Sequence, residues 1–113
     1  MTSLDFSPLN LYLADWRGAD AFFNRYFDDD EVFILGLRSR KEPLKSVGIS
    51  FTLCTFVSGP FRWSNAHLVC EQRQASLSGV KTTEIRDAAN GFVLRFNGPI
   101  VVGNGELIIS PSA

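Results

Sequence analysis

From residue 32 onward the chain is cut into short pieces by turn-forming residues. Pro43, Ser58-Gly59-Pro60, Ser78-Gly79, Asn90-Gly91, Asn97-Gly98-Pro99 and Gly103-Asn104-Gly105 follow one another with only short apolar or alternating segments between them. A parallel strand pair needs a crossover of a dozen or more residues, usually a helix, and no long helix is legible between these breaks. Neighbouring strands are therefore expected to be joined as antiparallel hairpins.

The segments read as strands one by one. Residues 32–37 form a nearly continuous apolar run, expected to be a buried strand. Residues 47–57 carry the clearest period of two, with Val47, Ile49, Phe51, Leu53 and Val57 on one face. Residues 66–74 alternate so that Leu68 and Cys70 share a face opposite His67, Glu71 and Arg73. Residues 80–86, 92–96 and 107–109 complete the set, and Asn90-Gly91 is the strongest local hairpin signal. Residues 9–13 are expected to add a short buried strand, and a Ser-Pro-Ser-Ala tail to fray.

One stretch repeats at a different period. Ala19, Phe22, Phe23, Tyr26 and Phe27 fall at i, i+3, i+4, i+7 and i+8, which predicts an amphipathic helix beginning at an Asp15 N-cap and ending near Phe27. Asp28, Asp29, Asp30 and Glu31 follow directly. A helix C-terminus carries partial negative charge and favours cations, so a run of acids there is anomalous. Two readings stay open. The acids pair internally with Arg38, Arg40, Lys41 and Lys45 on the next turn, or they form a ledge for a basic protein. A divalent cation is the weaker third use, because calcium loops place their ligands at alternate positions around a glycine turn and this run does not.

The 113 residues suffice for one domain, 1–113, with one core. The net charge of -1 predicts no polyanion partner, but its distribution is uneven. Residues 1–31 hold seven acids against two bases, and the remainder holds nine bases against five acids. Such asymmetry either neutralises within the fold or marks a contact surface. No stretch approaches a membrane span, and the start Met-Thr-Ser-Leu-Asp lacks the basic and apolar parts of a signal peptide. The expected compartment is the cytoplasm, with Cys54 and Cys70 reduced and serving as small core fillers.

No catalytic constellation stands out. His67 is the only histidine, on the polar face of a strand with no nucleophile-elbow serine near it. The cysteines fit no zinc spacing, and the glycine turns lack the helix and lysine of a phosphate loop. Trp16 and Trp63 are candidates for aromatic anchors, since tryptophan is enriched where interfaces concentrate their energy. Glycosidase-type acid–base work by Glu71 and Glu84 has nothing to single it out.

Gly59-Pro60-Phe61-Arg62-Trp63, the strand Ala66-His67-Leu68-Val69-Cys70 and then Leu77-Ser78-Gly79-Val80 resemble bacterial polymorphic-toxin immunity proteins, and among them the family catalogued as immunity protein fifty. The order of helix, acids and strand ahead of that segment is similar too, so the resemblance spans about residues 15–86. It implies a non-enzymatic inhibitor that binds a cognate toxin and blocks its active site. Many such toxins are nucleases with basic surfaces, for which an acidic patch mimics phosphate.

The expectation is thus an α+β domain, one N-terminal amphipathic helix packed on a mainly antiparallel sheet of six to seven short strands. The partner-binding residues are Asp28, Asp29, Asp30, Glu31, Trp16 and Trp63. No cofactor, metal, nucleic acid or membrane is called for. The alternative is a small-ligand-binding or enzymatic module, with an aromatic-lined pocket between helix and sheet built from Phe22, Phe27, Phe51 and Phe96.

Overall fold

The computed structural model describes residues 6–41, 45–74, 81–103, 105 and 107–109. Pro43, the Ser78-Gly79 turn, Val80, Asn104 and the tail from residue 110 lie outside the described residues.

The structure is α+β, but the helix stands elsewhere than its periodicity predicts. The helix α1 is Ser7–Ala14, with Pro8 in its first turn, where proline's fixed φ suits the helix and its missing N–H removes no bond. Leu9 and Leu13 face inward and are buried. Asp15 closes this helix instead of opening the next one. Trp16 is 7% exposed in the turn that follows, its N–H bonded to Leu13 O at 3.0 Å.

The expected helix over residues 19–27 is the strand β1, Asp20–Phe27. It pairs antiparallel with β2, Val32–Arg38, and the register slips between Phe23 and Arg25. That bulge explains the misleading period. Ala21 and Phe23 point inward and Phe22 outward; one extra residue at Asn24 then resets the alternation. Aromatics spaced three and four apart thereby belong to the two faces of a bulged strand. Phe22 lies flat over Gly36 on the neighbouring strand, where an added Cβ would collide with its ring. An aromatic covering a cross-strand glycine restores packing that the glycine gives up.

The remaining strands are β3 (Ser46–Phe51), β4 (Cys54–Ser58), β5 (Arg62–Trp63), β6 (Val69–Gln74), β7 (Lys81–Asp87), β8 (Phe92–Phe96), β9 (Ile100–Val102) and β10 (Leu107–Ile109). Two sheets form instead of the expected one. The six-stranded sheet runs β10-β9-β3-β2-β1-β5 and the four-stranded sheet β4-β8-β7-β6, with every pair antiparallel.

The sheets are joined by a bent two-stranded ribbon. β3 continues through Thr52 and Leu53 into β4, while β8 continues through residues 97–99 into β9. Across the bend the ladder persists: Thr52 N–H donates to Pro99 O at 3.2 Å, Gly98 N–H to Thr52 O at 2.9 Å and Asn97 N–H to Leu53 O at 3.1 Å. Strands that change sheets need a local bend. Leu53 supplies it with φ 55, and Gly98 lets the strands touch, since a Cβ there would sit 2.8 Å from Thr52 Cβ. The single alternating strand expected over residues 47–57 is therefore broken, and Leu53 turns to solvent.

The core lies between the sheets. Leu35, Leu37, Ile49, Phe51, Ile85, Leu94, Phe96 and Val102 are fully buried, as the alternation within each segment predicts. Phe51 and Phe96 pack ring to ring at 5.0 Å across the bend. Phe22 and Phe27 sit on the outer face of β1, so the four phenylalanines of the helix-and-sheet pocket do not converge.

Candidate functional site

The four acids form the turn of the β1–β2 hairpin. Phe27 pairs with Val32 to close it, Glu31 N–H bonds Asp28 O at 3.3 Å, and Glu31 adopts φ 52. Aspartate suits such turns because its side chain competes for local backbone donors. No helix dipole opposes the acids, so the anomaly in the sequence disappears with the helix.

All four side chains are exposed, and among the described residues none makes an ion pair. The expected basic partners lie at the other end of β2. That strand has seven residues, so the tip and the basic turn are separated by roughly 20 Å. There Arg40 pairs with Asp20 at 3.0 Å, Arg38 stacks over Phe22 at 5.4 Å and Lys45 lies over Trp16 at 5.5 Å. Internal neutralisation of the acids by residues 38–45 is therefore ruled out by distance.

The tip is held in place by its own backbone. Leu53 N–H donates to Asp30 O at 3.3 Å and Cys54 N–H to Glu31 O at 3.0 Å. These bonds fix the hairpin end against the corner where β3 becomes β4. Burial pushes the Cys54 thiol up to about 11, aided by the charge on Glu31 and opposed by a backbone hydrogen bond. Tyr26 beside the tip is raised as well, by desolvation first and then by Glu31 and Asp28.

Next to the acids the two sheets part and leave an apolar groove. One section, about 360 Å³, is lined by Phe23 and Tyr26 of β1, residues 54–57 of β4, and Phe33 and Leu94 at its floor. A second section, about 240 Å³, shares Phe23, Phe33 and Val57 and adds Phe61, Trp63 and Phe92. Phe61 is 78% exposed, and Phe56 and Val57 are nearly half exposed. Contiguous apolar surface of this kind usually marks a contact site.

Trp63 and Trp16 have different surroundings. Trp63 forms the inner wall of the second section and packs on Phe92 at 4.6 Å. Its Nε1–H donates at 2.9 Å to Asp87, a fully buried carboxylate. Asp87 also accepts His67 N–H at 2.8 Å, Asn90 Nδ2–H at 3.0 Å and Asn90 N–H at 3.3 Å. This hub ties the Trp63 loop to the β7–β8 turn. Trp16 is in the core, away from the acids, and offers no exposed ring.

The groove residues Phe23, Tyr26, Phe56, Val57 and Phe61 are missing from the sequence-based set. The signal that could have found them is the β4 segment itself, where Phe56 and Val57 put apolar side chains on both faces of a strand. Among the described residues no three His, Cys, Asp or Glu gather in an arrangement that could hold a metal ion. No helix among them is long and apolar enough to cross a membrane.

No family model matches the chain, and no curated protein or solved structure matches it either.

Proposed function

We propose that this protein is a non-enzymatic binding module that docks on a basic protein through the acidic hairpin tip and the aromatic groove beside it. Neutralisation of a cognate toxin in the cytoplasm, as the resemblance to immunity proteins implies, is the setting we favour. The observation that carries the reading is the placement of four exposed carboxylates, without an ion-pair partner among the described residues, at the rim of exposed apolar surface. The acids steer a basic partner and fix its register, while Phe56, Val57 and Phe61 supply the area that is dehydrated on contact. Trp63 supports the groove wall from within, and Trp16 serves the core beneath α1.

The test takes the product of the neighbouring gene as the candidate partner. Its affinity for the wild-type chain and for the variant with Asp28, Asp29, Asp30 and Glu31 all changed to Ser is measured at ionic strengths that shrink the Debye length from about 30 to about 3 Å. The wild-type complex weakens with salt, and the variant binds more weakly with a flatter salt dependence. Equal affinities across the series would remove the acids from the interface.

A second reading, a small-ligand module, is favoured by the recess of about 240 Å³ between Phe23, Phe33, Phe61 and Phe92. α1 does not line it, so such a site lies between the sheets and not under the helix. A thermal-shift screen against metabolites discriminates the two, since a ligand that binds only the folded state raises the melting temperature.

A further inference from the structure

The edges of the two sheets are not treated alike. β6 is covered by α1, and Asn10 there does what a neighbouring strand would do: its Nδ2–H donates to Cys70 O at 3.0 Å and its Oδ1 accepts Cys70 N–H at 2.8 Å. β5 has two residues and β10 has three, both short enough to be poor templates. β4 is the exception. It pairs with β8 on one side and, among the described residues, with no strand on the other. Its sequence Cys-Thr-Phe-Val-Ser contains no lysine, no proline and no charge, which are the usual guards of an open edge. A bulge between Cys54 and Phe56 blunts only its first residues.

This open edge borders the groove, opposite Phe23 and Tyr26. Among the described residues β1 has no strand on that side beyond Phe23, because β5 pairs only with Ala21 and Phe22 and Phe61 O takes the Phe23 N–H at 2.7 Å. The acidic tip is bonded to the Cys54 end of β4. Any chain lying along β4 therefore has one end beside four carboxylates.

Resting on the proposed binding function, we infer that the partner's contact element is an extended segment with basic residues, which adds to the open edge of β4 as a further strand of the four-stranded sheet. Backbone hydrogen bonds give such an addition its affinity, and alternate side chains give it specificity. Inward side chains of the segment meet Phe33 and Leu94, and a cation at its end meets the tip. A second copy of this chain is a poorer occupant, because its own β4 brings no cation to the acids.

The probe is an acetylated and amidated nonapeptide of alternating Val and Lys. Two control peptides carry the same side chains, with N-methyl groups on the valines in one and on the lysines in the other. Each control blocks the donors along one edge of an extended strand. We expect the parent peptide to bind, to slow hydrogen exchange in β4 selectively, and to lose at least about tenfold in affinity in one of the two controls. Parent and controls binding alike would refute strand addition while leaving the acidic groove as a side-chain interface. Failure of the parent peptide to bind would refute the inference, whereas the salt series with the neighbouring gene's product would still judge the acids. Concentration-dependent dimers that protect β4 without peptide would assign the edge to a second copy, and would also overturn it.

Discussion

Replacing Asp87 by Ala is expected to be among the most damaging single changes in this chain. The carboxylate is fully buried and holds four donors from three residues. Hydrogen bonds to a charged acceptor contribute about 1.5–3 kcal/mol each, and a donor left unmade in the interior costs about 1–3 kcal/mol. The two shortest bonds come from His67 N–H and Trp63 Nε1–H. Against this, Ala removes the several kcal/mol of desolvation that a buried carboxylate carries. The net loss worked from these terms is about 3 kcal/mol, a large part of the roughly 5–15 kcal/mol that holds a domain folded. Urea unfolding followed by tryptophan fluorescence reads it directly. At an m-value of about 1.5 kcal/mol per molar, the midpoint falls by about 2 M. Trp63→Phe removes one donor to the same oxygen, so combining the two changes costs about 1 kcal/mol less than their sum. A midpoint shift under about 0.5 M, or strict additivity with Trp63→Phe, would refute the hub.

The other expectations can be taken together. The four-acid Ser variant changes stability by no more than about 0.5 kcal/mol, because among the described residues none of the acids is in an ion pair; a loss well above that in urea unfolding would mean they are structural. Gly98→Ala costs about 2 kcal/mol or more, since the new Cβ meets Thr52 O at 2.9 Å as well as Thr52 Cβ; an unchanged melting temperature would refute the close approach. Burial, helped by the charge on Glu71, pushes the Cys70 thiol up to about 12. An unfolded thiol ionises near 8.5, so the unfolded chain holds fewer protons above that pH and stability falls as pH rises from about 9 toward 12. The slope approaches about 1.4 kcal/mol per pH unit for each buried thiol, and Cys70→Ala makes the pH dependence of urea midpoints shallower; parallel curves would contradict the assignment.

Much of the fold is written locally. The apolar run of residues 32–37 marks a buried strand, and the alternation of residues 66–74 and 92–96 names buried residues correctly, because a strand between core and solvent must put every second side chain inward. Residues 9–13, expected to be a strand, lie instead in the helix Ser7–Ala14, whose local signal is Ser7-Pro8 and not the phenylalanines. The stripe over residues 19–27 misleads because a bulged strand with aromatics on both faces imitates a helical period. β-propensity pointed the other way, since Phe and Tyr dominate the segment. The split into two sheets was illegible because it depends on a bend at Leu53 whose partner, Gly98, is distant in sequence.

The candidate site divides in the same manner. The acids were visible as a charge run, and their exposure follows from their place in a hairpin turn. Their distance from residues 38–45 is a matter of strand length, so it required β2 to be recognised as the element between them. The groove is a tertiary object, assembled from β1, β4 and the turn that carries Phe61, and no local pattern announces it. Trp16 illustrates the converse: a residue type favoured in interfaces is here spent on the core.

The bent ribbon also bears on how the molecule comes apart. β3–β4 and β9–β8 each belong to both sheets, so neither sheet can melt while the other keeps its full set of strands. The chain should lose its structure as one cooperative unit, with all optical probes reporting a single transition. Bringing Phe51 to Ile100 and Cys54 to Phe96 also closes long stretches of chain, and such non-local pairing is slow to form. Until that seam closes, β4 has no partner on either side, so the nascent chain is most exposed to mispairing along the strand we assign to recognition.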